Sequence, residues 1–472
     1  MSTTADRPLS ESEKTLPLPI GPLPTTAPST GQDNAPGLAL TRLIRRVHFY
    51  AGLLVAPFLA ILCLTGIAYV FTPQINDALY AQQLIVAPQP GPMRPLDDQV
   101  GAAMAAHPTA LLDSVKPAAQ PDRTTAVLLD PPGAAGDDQL AVYVNPYTAE
   151  VTGTLTLVHG EPPVQHWLRD FHGDLQLGTV GAIYSEFAAS WLPVLFLGGL
   201  FLWIRKRRAR RRDLLVPSRG TRPGRNRMMN WHGSVGIWLT VALVFISLTG
   251  LTWSTFAGNR FETVLTALDA RAPKLATTSV PSGSGNPQVI TVGQAEATAR
   301  AAGLQGPLTV TPPTKPAAPF VVAETSNSVP LHRDKIALDP GSGAVLETLR
   351  FGEYPLLAQL STIGILAHTG TLLGLFNQIA MTAMSLGILA VIFWGYRMWW
   401  LRRPTRGGAP RALEARGVLR SSPQAMLSGI LALAVAVGWL LPVFGVSVVI
   451  FLLADTAAGA IVRRRAAAAA SR

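Results

Sequence analysis

One cysteine in 472 residues, Cys63, excludes an intrachain disulfide and a cysteine-ligated metal cluster. It lies inside an apolar run and reads as a small packed side chain. Charge is also scarce: 14% of residues are Asp, Glu, Lys or Arg, against 48% hydrophobic ones, and mean hydropathy is +0.29. Such a composition excludes a chain of ordinary soluble domains and points to membrane helices. Acidic residues number 28 against 39 basic ones. The excess of +11 does not imply nucleic acid, because the basic residues gather in short clusters beside apolar runs, as on the cytoplasmic flanks of membrane helices. Paired carboxylates within the apolar runs are missing, with Glu186 and Asp455 isolated and expected near interfaces, which argues against a coupled transporter. No flavin or nicotinamide fingerprint occurs either, so any redox function needs a separate electron donor.

What the chain does contain is the same template twice. Arg45-Arg46-Val47-His48-Phe49-Tyr50-Ala51-Gly52 opens an apolar run that ends in Leu64-Thr65-Gly66. Trp231-His232-Gly233-Ser234-Val235-Gly236 opens another that ends in Leu248-Thr249-Gly250. Seventeen positions separate His48 from Thr65, and seventeen separate His232 from Thr249. The helices that close each half repeat as well. His172 precedes Gly178, Gly199 and Trp203 by 6, 27 and 31 positions, and His368 precedes Gly374, Gly395 and Trp399 by the same intervals. Between the helices, Asn145-Pro146 and Asp339-Pro340 each follow a β-like run and precede a valine by the same spacing. A duplication of this kind relates two halves by a pseudo-two-fold along the membrane normal.

The expected architecture is a membrane all-α bundle: a duplicated four-helix core plus a C-terminal hairpin, six spans in all, with two small α+β modules outside. In order, residues 1–37 form a Pro-, Ser- and Thr-rich disordered tail without a basic segment leading into an apolar one, so the first span serves as targeting signal. Residues 38–71 are the first span, 72–170 the first outer module, and 171–212 the second span with its basic flank. Residues 223–256 are the third span, 257–360 the second module, 361–406 the fourth span, and 424–465 the hairpin. Basic clusters at Arg42, Arg45 and Arg46, at Arg205 to Arg212, at Arg222, Arg225 and Arg227, at Arg402, Arg403 and Arg406, and at Arg463 to Arg465 put both termini in the cytoplasm. From His172 to Trp203 a continuous helix would run about 46 Å, more than the roughly 30 Å of a bilayer core. That length implies protrusion or strong tilt.

Four of the eight histidines occupy repeat-equivalent positions. Topology sets His48 and His232 near the cytoplasmic face and His172 and His368 near the outer face. Ionisable groups at membrane depth are costly and functional, and two neutral imidazoles facing each other across a bundle form an axial pair for a haem iron. Gly52 and Gly236, one turn along, would let a flat macrocycle approach the backbone. A lone histidine in such a place is more simply an interfacial residue bonded to a carbonyl or a lipid headgroup; duplication is what favours ligation. His166 has no repeat partner and reads as a loop or helix-mouth residue, and His107, His159 and His332 read as surface residues.

These motifs, with Leu168-Arg169-Asp170-Phe171-His172-Gly173 and Ala367-His368-Thr369-Gly370, resemble the PepSY-associated transmembrane family over about residues 40–405. The turns at Asn145-Pro146 and Asp339-Pro340 are similar to its extracytoplasmic PepSY modules. The family includes inner-membrane reductases of ferric siderophores that carry two b-type haems. The resemblance therefore implies a multi-pass protein of the bacterial inner membrane with His48, His172, His232 and His368 as ligands of two haem b groups, and a periplasmic ferric chelate as substrate. Phe49, Gly173, Gly233 and Thr369 stand where family members often carry a basic residue, which leaves the partners of the haem propionates open. The rival reading is a non-enzymatic membrane regulator whose PepSY modules bind a protease or peptide.

Overall fold

The computed structural model describes residues 36–133, 138–209, 214–218, 224–276, 290–315, 318–402 and 424–470. Residues 1–35 of the expected tail, and Arg210 to Arg212, Arg222, Arg403 and Arg406 of the basic flanks, lie outside them.

The first half starts with α1 (Pro36–Val70), continues through α2 (Thr72–Leu79), α3 (Ala81–Leu84) and α4 (Leu96–Ala106), and forms strands β1 (Leu111–Lys116), β2 (Thr125–Asp130), β3 (Gln139–Val144) and β4 (Val151–Leu157). Helices α5 (Pro163–Gly173) and α6 (Thr179–Arg207) return the chain. The second half follows the same plan: α7 (Arg225–Leu251), α8 (Thr255–Ala267), α9 (Val292–Ala301), β5 (Leu308–Thr311), β6 (Phe320–Glu324), β7 (Lys335–Leu338), β8 (Val345–Leu349), α10 (Leu356–His368) and α11 (Leu375–Trp400). A hairpin of α12 (Gln424–Leu440) and α13 (Pro442–Ala470) ends it.

Five helices among the described residues are long and apolar enough to cross a membrane: α1, α6, α7, α11 and α13. The other half of the hairpin, α12, is apolar but only 17 residues long. Helices α1, α6, α7 and α11 close a four-helix ring, each packing on two of the others. Val55, Leu59, Ala188, Leu192, Leu243, Met384 and Ile388 fill its core.

The long second and fourth spans are not continuous, which corrects the 46 Å estimate. The chain breaks between α5 and α6 at Leu175 and Gln176, both with positive φ, and at Gly178; it breaks between α10 and α11 at Gly370 and Gly374. Gly178 and Gly374 both adopt φ 56° with ψ near −135°, a region open essentially to glycine alone. The surplus length is thus turned aside into α5 and α10, and His172 and His368 sit at the ends of those short helices rather than inside a protruding span.

The two outer segments do not form separate sheets. All eight strands make one antiparallel sheet, ordered β4-β3-β2-β1-β5-β6-β7-β8, joined at the middle where Val115 of β1 pairs with Val310 of β5. Both valines are fully buried, so the junction hides two apolar edges that would otherwise invite misassembly. Alternation does the rest. Val127 and Leu129 of β2 face the core shared with α4 and α9, and Leu128 faces the opposite side with Tyr143 and Leu157, covered by Leu84 of α3. The Asp-Pro turn between β7 and β8 is held by Asp339, whose carboxylate accepts N–H bonds from Ser342 at 2.7 Å and Gly341 at 2.9 Å. Those bonds hold its carboxyl below the ordinary range. The turn therefore keeps their contribution at neutral pH and loses it as pH falls through the lowered value.

The hairpin docks on α6 of the first half and α8 of the second. Trp191 Nε1 donates to Ser447 Oγ at 2.8 Å, and the Trp191 ring lies 5.0 Å from Phe444. Glu186 is buried beside it, accepting the N–H groups of Phe256 and Ala257 at the start of α8. The carboxylate satisfies two donors that a helix terminus leaves open.

Candidate functional site

Each half of the bundle orients its own two histidines, and does so identically. In the first half, His48 Nδ1 lies 2.9 Å from the carbonyl of Leu195; in the second, His232 Nδ1 lies 2.9 Å from that of Val391. A carbonyl only accepts, so the proton of each ring sits on Nδ1. His172 Nδ1 lies 2.9 Å from Thr65 Oγ1, and His368 Nδ1 lies 2.8 Å from Thr249 Oγ1. Each threonine hydroxyl donates its one hydrogen to a carbonyl a turn back, Ile61 or Phe245. The same hydroxyl meets the imidazole Nδ1. Each of the four rings is thus anchored through Nδ1, which leaves Nε2 as the nitrogen available to a ligand.

Across the halves the rings meet in pairs. His48 and His232 have centroids 6.3 Å apart, at 85° to each other; His172 and His368 have centroids 6.5 Å apart, at 68°. Two imidazoles on opposite sides of one metal ion, each bonded through a ring nitrogen at about 2 Å, have centroids roughly 6 Å apart. The two levels differ by the 17 positions between His48 and Thr65, or about 26 Å along α1, close to the thickness of a bilayer core. His172 and His368 form the pair next to the sheet; His48 and His232 form the distal pair.

The distal pair lines a cavity of about 730 Å³, within the ~300–1,000 Å³ of typical cofactor pockets. Its walls are mostly apolar, from Leu53, Leu192, Phe196, Ile388 and others. Gly52 and Gly236 both line it: the nearest side-chain atom to a Cβ built on Gly52 is 3.8 Å away in Leu195, and Gly236 faces open space.

The glycines that seat the rings are different ones. A Cβ at Gly199 would come within 2.9 Å of His48 Cε1, and one at Gly66 within 3.1 Å of His172 Cε1. Their repeat partners are looser, at 3.7 Å from His232 for Gly395 and 3.4 Å from His368 for Gly250. A methyl group at Gly199 would accordingly push on the His48 ring, whereas one at Gly395 would leave His232 in place. Thr65, Thr249, Gly66, Gly250, Gly199 and Gly395 all belong to the repeat, and only the folded chain shows them against the four imidazoles.

The remaining histidines stay apart from both pairs. His166 stacks on His159 at 5.4 Å, accepts from Arg169 and reaches Asp170. His332 lies 3.8 Å from Glu324. Among the described residues no group of three or more His, Cys, Asp or Glu that could hold a metal ion is present.

A family model for the PepSY-associated TM region matches residues 45–402, about three quarters of the chain. The chain belongs to the PepSY-associated TM region family. No curated protein matches it. The matched span takes in both histidine pairs and the whole sheet, and leaves the hairpin of α12 and α13 outside.

Proposed function

We propose that this PepSY-associated TM region protein is a b-type haem protein of the bacterial inner membrane that moves electrons across the bilayer and reduces a ferric chelate, such as a siderophore, on the periplasmic side. The observation that supports this reading is the fourfold pattern of anchored imidazoles: four Nδ1 atoms bonded to Leu195, Val391, Thr65 and Thr249, with the rings in two facing pairs 6.3 and 6.5 Å apart. The alternative of a non-enzymatic regulator gives no reason for that arrangement.

Haem bound at each pair supplies reversible one-electron chemistry, its potential set by the axial ligands, burial and nearby charge. The chain supplies the rest. Leu195, Val391, Thr65 and Thr249 fix the orientation of the four imidazoles and raise their basicity by accepting from Nδ1. The apolar walls of the distal cavity keep water off and suit a flat macrocycle. Clusters at Arg42, Arg45 and Arg46, at Arg205 to Arg208, and at Arg225 and Arg227 flank the distal ends of the spans, which supports a cytoplasmic position for that end. The sheet and the His172–His368 pair then face the periplasm, with the sheet modules as PepSY-like holders of the chelate. Siderophore oxygens are hard ligands that favour Fe(III), so one electron delivered to the chelate weakens it and releases Fe(II). The electron comes from a separate donor on the cytoplasmic side.

Proteoliposomes containing a reductant inside and a ferric siderophore outside test this, with a ferrous-specific dye as reporter. Fe(II) is expected with the wild-type chain and not with His172→Ala/His368→Ala. Equal Fe(II) production by that variant would contradict the proposal.

A further inference from the structure

The distal cavity has a feature that ligation by histidine does not explain. Beneath its mouth the walls are apolar, but five cationic side chains line it: Arg45, Arg205, Lys206, Arg225 and Arg402. Arg45 lies in the distal part of α1, Arg205 and Lys206 at the end of α6, Arg225 at the start of α7, and Arg402 two residues beyond α11. Among the described residues of the lining there is no Asp or Glu. The charges are close enough to oppose one another. Burial, and then the neighbouring guanidiniums of Arg225 and Arg45, lower the pKa of Arg402. Arg402 rests over the ring of Phe49, 6.0 Å from its centroid, a contact that uses the face of the guanidinium. Lys206 Nζ lies 2.8 Å from the Met229 sulfur, a weak acceptor. Like charges brought together around an apolar cavity call for an anion in the mouth, and a planar guanidinium fork binds a carboxylate best.

We propose that Lys206, Arg225 and Arg402 form a carboxylate-binding rim that takes the two propionates of a haem seated in the distal cavity. This rests on the haem reading above. It answers what Phe49 and Gly233 leave open: the cations come not from the residue after each histidine but from the far ends of α6, α7 and α11. The charged edge of the macrocycle then faces the cytoplasmic end, with the apolar remainder between His48 and His232. Recognition is by charge and by the apolar cavity together, so a porphyrin without free carboxylates should lose the first part only.

The His368→Ala chain, which retains only the distal pair, is purified without haem in detergent and titrated with iron protoporphyrin IX or with its dimethyl ester, following the Soret band. The free acid is expected to bind at least about tenfold more tightly than the ester, the factor of one charge-assisted hydrogen bond. Arg225→Gln/Arg402→Gln should lose about that factor for the free acid and nothing for the ester, and Arg402→Lys should recover part of it. Unchanged ester binding also shows that the variant is folded. Equal affinities for acid and ester in the unsubstituted rim would overturn the proposal, as would full acid preference in the double variant. A chain that gives no Soret shift with either porphyrin contradicts the haem reading itself, which is a distinguishable result.

Discussion

His48→Ala should purify with about half the haem of the wild-type chain, His368→Ala with the same half, and the double variant with none. The two substitutions act at different levels, because the pairs lie about 26 Å apart along α1 and share no partner. His48 is held by Leu195 and faces His232, whereas His368 is held by Thr249 and faces His172. Haem content unchanged in both single variants would refute the ligand assignment.

Thr65→Val is expected to weaken haem at the sheet-proximal site about 10- to 100-fold, the usual cost of losing a hydrogen-bond partner one shell out from a metal ligand. Valine matches threonine in volume and shape, so packing is preserved and only the acceptor is lost. His172 Nδ1–H is then buried beside apolar atoms, its tautomer no longer fixed. Thr249→Val should do the same through His368. Neither should touch the distal site, where main-chain carbonyls of Leu195 and Val391 serve and no side-chain substitution can remove them. Titration of each variant with haem reads the two sites by their separate loss. Equal weakening at both sites, or at neither, would contradict the orienting role of the threonines.

The repeat made much of this legible. Identical spacings announced two halves, picked out the four histidines from eight, and located the strand pairs around Asn145-Pro146 and Asp339-Pro340. Composition alone marked the chain as membrane-bound. What spacing does not encode is backbone conformation. Gly178 and Gly374 stand out in the sequence as repeated residues, but their spacing does not show that they, with Leu175, Gln176 and Gly370, adopt the positive φ values that end α5 and α10 and turn an overlong helix into two pieces. Nor does a one-dimensional pattern show that two α+β segments will share a sheet, because the joint depends on a single register pair between Val115 and Val310. Thr65 and Thr249 were visible as repeated residues, but their partners lie over a hundred positions away, at His172 and His368. Gly52 and Gly236, each one turn from a histidine on its own helix, line the distal cavity, while Gly199 and Gly66 lie against His48 and His172 across helices. The hairpin, outside the family match, gains a physical place through Trp191 and Ser447. Trp191 itself is buried in the bundle.

The most direct measurement is the absorption spectrum and haem stoichiometry of the full chain, expressed with ample haem and purified in detergent. Two b-type haems per chain, with reduced α bands that His48→Ala and His368→Ala each diminish, is the expected result. A purified chain with no Soret or α band would contradict the proposed function outright.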